Sequence, residues 1–127
     1  MELNRHYEAQ VCGVTLLCDV IPMGRDYTVC VRDDRCGHVG SAALSVSRPS
    51  LTGQGVSATT SVLNCLGHKD DAIACRFAEA VAVQQRCTAV CTCGVQIDGI
   101  TPDQIQAVLD ACEGLKNQVL QDLAAEG

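Results

Sequence analysis

The tightest constraint on this chain is that its core must be built almost without aromatic rings. Its 127 residues include no Trp, one Phe (Phe77) and two Tyr (Tyr7, Tyr27), yet nearly half are apolar. Valine, alanine, leucine and cysteine must fill the interior instead. The length suits one domain over residues 1–127 and is too short for two ordinary ones.

Hydrophobic period places the elements. From Glu8 to Val20 the apolar positions Cys12, Val14, Leu16, Cys18 and Val20 alternate, which predicts one strand. Pro22 to Asp26 is turn chemistry, and Tyr27–Arg32 is a second β-rich run, so the two predict a hairpin. A third strand runs from Val39 to Ser47, with Ala42, Leu44 and Val46 on one face. Its other face (Ser41, Ala43, Ser45, Ser47) is small and suits a ligand floor or a close-packed interface. After a loop over Arg48–Gly55, Ser57–Leu63 is a fourth strand. Ile73, Phe77, Ala80 and Val81 recur at helical spacing behind Asp70 or Asp71 as cap. Thr88–Ile97 is a fifth strand. The last helix opens on a capping box, with Thr101 at the N-cap, Pro102 at N1 and Gln104 reaching back. Its apolar stripe runs from Ile105 through Val108, Cys112, Leu115 and Val119 to Leu123. The expected fold class is α+β. It has a mostly antiparallel five-stranded sheet in the order β-β-β-β-α-β-α, with two helices on one face. The other face is left for a ligand or a second copy, so a homodimer is expected.

Charge and composition exclude several classes. The formal charge is −6, and only two of nine basic residues are Lys. No basic stripe exists to displace counterions from a duplex, and few rings exist for base stacking, so nucleic-acid binding is not expected. Residues 1–6 lack a basic n-region and an apolar h-region, and no apolar run reaches about 18 residues, so neither a secretory signal nor a membrane span is expected. Ten cysteines then read as small reduced hydrophobes of a cytoplasmic protein rather than as disulfides.

Few residues carry chemistry. Cys91 and Cys93 share a strand face and, with Cys36 and His38, could form a metal or thiol site. The usual CxxC spacing is absent, however, and a plain core role competes. His38 and His68 lie in glycine-flanked loops, where functional groups collect. Gly67-His68-Lys69-Asp70-Asp71 opens a helix, whose free amides favour an anion although two aspartates oppose it. Arg48 could clamp a phosphate bidentately or simply be solvated. No nucleophile elbow, P-loop, GxGxxG or HExxH occurs, so no catalytic residue is assigned.

In order along the chain, three segments resemble the motifs of the LpdD-like prenylated-flavin chaperones. Gly37-His38-Val39-Gly40 with Arg48-Pro49-Ser50 is similar to the first. Ser61-Val62-Leu63 leading to Gly67-His68-Lys69-Asp70-Asp71 is similar to the central one. Gly94-Val95-Gln96-Ile97-Asp98 with Thr101-Pro102 is similar to the last. The likeness spans about residues 24–110. This chain has Gly37 where the family pattern has proline, and Gln96 where it has histidine; Gln96 can hydrogen-bond but cannot carry a proton.

The resemblance implies a small dimer with the fold of proteasome-assembly chaperones. It implies a non-enzyme that binds reduced prenylated FMN as cargo and helps deliver this flavin mononucleotide derivative to a UbiD-type decarboxylase. On that reading His68, Lys69 and the amides from Gly67 onward hold the phosphate and Arg48 closes over it. His38, Gln96 and Asp98 bond the flavin edge or ribityl chain, while Gly40, Ala42 and Ser61 leave room for the ring. Three alternatives stay open from the residues alone. One is the metal or thiol protein. Another is a small hydrolase or isomerase with His38 or His68 as base and Asp98 as orienter. The third is a protein-assembly chaperone with no small ligand.

Overall fold

Cys12 and Gly13 both adopt the left-handed backbone conformation, with φ of 50° and 76°, and so split the first expected strand into a hairpin. In the computed structural model, which describes residues 3–65 and 69–126, β1 (Arg5–Val11) and β2 (Val14–Met23) pair antiparallel with Val11 opposite Val14. A two-residue turn with both φ positive matches the twist of the flanking strands. Cys12 continues the apolar alternation of the second strand, which hides the turn in the sequence. The core-facing set changes phase at that point, from Tyr7, Ala9 and Val11 to Val14, Leu16 and Cys18. A second tight turn at Gly24 (φ 65°) leads into β3 (Asp26–Asp33).

The remaining elements are β4 (Ser41–Pro49), β5 (Val56–Asn64), α1 (Lys69–Gln85), β6 (Thr88–Gly94) and α2 (Pro102–Glu126). They form one six-stranded sheet in the order β1-β2-β3-β6-β4-β5. The sheet is mixed, which corrects the five-stranded expectation: β3 and β6 run parallel, and the other four pairings are antiparallel. Helix α1 is the crossover that makes this possible. It carries the chain from β5 back into the middle of the sheet, a connection too long for a hairpin. Strand β4 also runs two residues further than expected, so Arg48 and Pro49 belong to the ladder, opposite Ser57 and Val56.

Both helices cover the same sheet face, as expected, with α1 over β4, β5 and β6 and α2 over β1 and β2. The core between them is made of Phe77 with Leu16, Val29, Val81, Leu115 and Leu123, all fully buried. The small face of β4 proves to be a packing surface. Ser41, Ala43 and Ser45 are buried, which lets α1 lie close to the strand. The capping box of α2 forms as expected. The Gln104 amide donates to Thr101 Oγ1 at 3.2 Å, and the Thr101 amide donates to Gln104 Oε1 at 2.9 Å. No described helix is long and apolar enough to cross a membrane.

The opposite sheet face carries no helix. Leu44, Val46 and Leu63 are exposed there, on β4 and its neighbour β5. Across β1, β2 and β3 the same face holds a polar chain. His6 bridges Glu8 Oε2 at 2.7 Å and Asp19 Oδ1 at 2.6 Å, and Arg32 donates to Asp19 Oδ2.

Candidate functional site

The chemistry-bearing residues gather where the parallel strands β3 and β6 end. In mixed and parallel sheets, loops beyond the carboxyl ends of parallel strands are the usual place for ligands. Here those loops are residues 34–40 and 95–101, joined by the Cys12-Gly13 turn and the start of α1.

Two buried aspartates lock this end together. Asp33 is 2 % exposed. Its Oδ2 accepts the amides of Cys36 at 2.7 Å and Arg35 at 3.1 Å, and its Oδ1 accepts the amide of Gln96 at 3.0 Å. One carboxylate thus ties the loop after β3 to the loop after β6. Asp70, also 2 % exposed, was expected as a helix cap. Instead it lies in the first turn of α1 and faces inward, and its Oδ1 accepts the Val95 amide at 3.1 Å and the Cys93 thiol at 3.7 Å. His38 Nε2 stands 3.9 Å from the other oxygen of Asp70. Gly40 is needed for this arrangement, since a Cβ there would lie 2.2 Å from Asp70 Oδ2. That position is small to admit the carboxylate rather than to leave room for a ring.

The electrostatics of Asp33 follow from the same contacts. Burial alone would raise its pKa. The amides of Cys36, Gln96 and Arg35 outweigh that and hold it below the ordinary 3.8. A depressed folded pKa contributes stability above the ordinary value, and that contribution is lost as pH falls through the folded one. Urea titrations should therefore show a constant gap between the wild type and Asp33→Asn above about pH 5, shrinking below about pH 4.

Beside these aspartates, Cys12, Gly13, Val14, Arg35, Cys36, Gln96, Ile97 and Asp98 line a hollow of about 270 Å³. Gln96 and Asp98 thus line one hollow, with exposed His38 on the neighbouring loop. Arg35 is a cation that the sequence did not single out, because Asp33-Asp34-Arg35-Cys36-Gly37 looks like an ordinary turn. The signal available was a guanidinium two residues after an aspartate that ends a buried strand.

The other expected site residues lie elsewhere. Arg48 stands at the opposite end of β4 from Ser41, roughly 20 Å or more away at about 3.3 Å per residue, so within one chain it cannot close over this end. Its Nε donates to Thr59 Oγ1 at 2.7 Å. Ser61 and Ala42 lie on the open sheet face, toward the loop end of β4 and β5 but outside the lining of this hollow. Gly67 and His68 lie outside the described residues, as does the side chain of Lys69.

The metal or thiol grouping does not assemble. Cys91 and Cys93 are buried in the core, and burial pushes both thiols far above their ordinary range. Cys36 is exposed on a loop. Among the described residues no three His, Cys, Asp or Glu side chains come together to hold a metal ion.

Comparison with known proteins agrees with this architecture. A chain in the crystal structure of a novel chaperone complex for yeast 20S proteasome assembly superposes with a TM-score of 0.56. It is 12 % identical, and the match covers 98 % of each chain, so the likeness is one of fold. No curated protein matches the sequence. The family model of the prenylated flavin chaperone LpdD-like domain matches residues 10–124. The chain belongs to the prenylated flavin chaperone LpdD-like family.

Proposed function

We propose that this protein is a non-catalytic, cytoplasmic chaperone that binds reduced prenylated FMN and hands it to a UbiD-type decarboxylase. The observation that carries this reading is the family match over residues 10–124. The loop end supplies chemistry suited to such a cargo. The Gln96 amide both donates and accepts, as the alternating carbonyl and N–H edge of a flavin requires. Asp98 accepts from a ring N–H or a ribityl hydroxyl, and His38 adds a second hydrogen-bonding group. Arg35 provides the phosphate charge first expected of Arg48, together with the α1 start at Gly67, His68 and Lys69. The 270 Å³ hollow is smaller than the usual volume for a nucleotide-sized ligand, so it takes one end of the molecule.

A second copy on the open face would cover Leu44, Val46 and Leu63 and match charges of both signs from Glu8, Asp19 and Arg32. Light scattering would then read twice 13.4 kDa.

Amide mapping by NMR under anaerobic conditions tests the site. Adding reduced prenylated FMN should shift residues 34–40 and 94–98, and Gln96→Ala and Asp98→Ala should each weaken binding about tenfold. Shifts centred on the opposite end of the sheet would place the cargo elsewhere and overturn the assignment.

A further inference from the structure

Strand β5 is an outer strand of the sheet and pairs with β4 alone among the described strands. Along its free side, alternate backbone amides and carbonyls therefore have no strand to bond. Such an edge is a template for another chain, and proteins usually blunt it with charge, proline or a covering element. The opposite edge, β1, is blunted in this way. It carries Arg5, His6 and Glu8, and α2 reaches it through the bond from the Tyr7 hydroxyl to Asp122 at 2.8 Å. In contrast, β5 reads Val-Ser-Ala-Thr-Thr-Ser-Val-Leu-Asn over nine residues, with no charge and no proline.

The end of this strand exposes apolar side chains on both sheet faces. Leu63 is 78 % exposed on the open face, and Val62 is 39 % exposed on the helix side. A second copy stacked on the open face would cover Leu63 and leave Val62 bare, whereas a strand laid beside β5 flanks both. The helix side of this edge is acidic. Asp71, Cys75 and Glu79 stand four residues apart on α1 and so share one side of it. Glu79 Oε1 accepts from the Thr60 hydroxyl at 2.9 Å, and Asp71 Oδ2 accepts from the Asn64 amide group at 3.5 Å, so both carboxylates overhang β5. Burial, then the charges of Glu79 and Asp71, raise the Cys75 thiol between them above its ordinary value. Neither carboxylate has a cationic partner among the described residues. A second copy paired antiparallel along β5 would place its own Asp71 and Glu79 on the same side, like charge against like. The edge therefore favours a basic partner over itself.

We propose that the β5 edge is a docking strip for another polypeptide, which adds an extended segment bearing lysine or arginine on the side that faces α1. Main-chain bonds supply the attachment, and alternate side chains supply the selectivity. A lysine stem lies along Val62 while its ammonium reaches Asp71 or Glu79, and an apolar side chain on the other side packs beside Leu63. The strip stands on β5 and α1 and does not depend on what the loop end carries.

An NMR titration of the full chain with the end-capped peptide Thr-Lys-Val-Lys-Val-Lys-Thr, at constant ionic strength, tests this. The amides of Val56–Asn64 should shift saturably, with a dissociation constant on the order of 1 mM, and those on the free side should exchange with solvent more slowly. The isosteric changes Asp71→Asn and Glu79→Gln should each weaken binding about threefold. Val62→Lys alters an exposed side chain and so keeps the fold; it sets a cation beside both carboxylates and should abolish the saturable shifts. The same peptide with glutamate in place of lysine should bind about tenfold more weakly or worse. The proposal is overturned by the absence of saturable shifts up to about 10 mM, by equal binding of the glutamate peptide, or by unchanged affinity in both isosteric variants. It is also overturned if every β5 amide already resists exchange in the free chain, because a second copy would then fill the edge.

Discussion

Gly94→Ala is expected to destabilise the protein by about 3 kcal/mol or more and to pull the loop end apart. A Cβ at Gly94 would lie 1.4 Å from the carbonyl oxygen of His38 and 2.4 Å from its carbonyl carbon. Both are backbone atoms, so no side chain can rotate away. The segment from Gly37 to Gly40 would have to lift off β6, breaking the bond from the Gly40 amide to the Cys93 carbonyl at 2.9 Å. Chemical denaturation measures the loss, and hydrogen exchange at Gly40 locates it. Gly114→Ala in α2 is the control. A methyl group at Gly114 would meet no atom within 4 Å, and a helix-interior glycine costs about 0.5–1 kcal/mol against alanine, so this variant should gain stability.

Asp33→Ala is expected to cost a similar amount by a different route. It removes the acceptor for three amides, those of Arg35, Cys36 and Gln96. A buried donor left without a partner costs about 1–3 kcal/mol; water entering the vacated space would reduce the total, so we expect about 3 kcal/mol. Asp33→Asn keeps the shape and one acceptor oxygen, so it should lose about half as much. If Asp33→Ala proved neutral in a urea titration, the loops would not depend on this carboxylate, and the tie described between the loop after β3 and the loop after β6 would be wrong.

How far the sequence disclosed this arrangement depended on the kind of signal each part left. Helix α2 was legible because its capping box and apolar stripe are local and agree with each other. The β1–β2 turn was not, because Cys12-Gly13 lacks the Asn-Gly or Asp-Gly pattern of such turns, and Cys12 fits the alternation that follows. The position of β6 between β3 and β4 is set by how α1 packs, and no residue in Thr88–Gly94 states its neighbours.

The site divided along the same line. His38, Gln96 and Asp98 were singled out because they flank strand ends, and the structure puts them on neighbouring loops at one end of the sheet. Asp33 and Asp70 were not recognised as supports, since an aspartate at a turn or a helix start ordinarily faces water. Arg48 was misplaced because its distance from the loop end is fixed by the length of β4, which ran beyond the apolar pattern into Arg48 and Pro49.

The most direct test of the carrier role is an anaerobic titration of the purified protein with reduced prenylated FMN, followed by flavin absorbance, with oxidised FMN in parallel. We expect saturable binding of the reduced prenylated species at one per chain, weak binding of oxidised FMN, and no chemical turnover of the bound flavin. Absence of saturable binding of the reduced species, or its chemical conversion on the protein, would contradict that role.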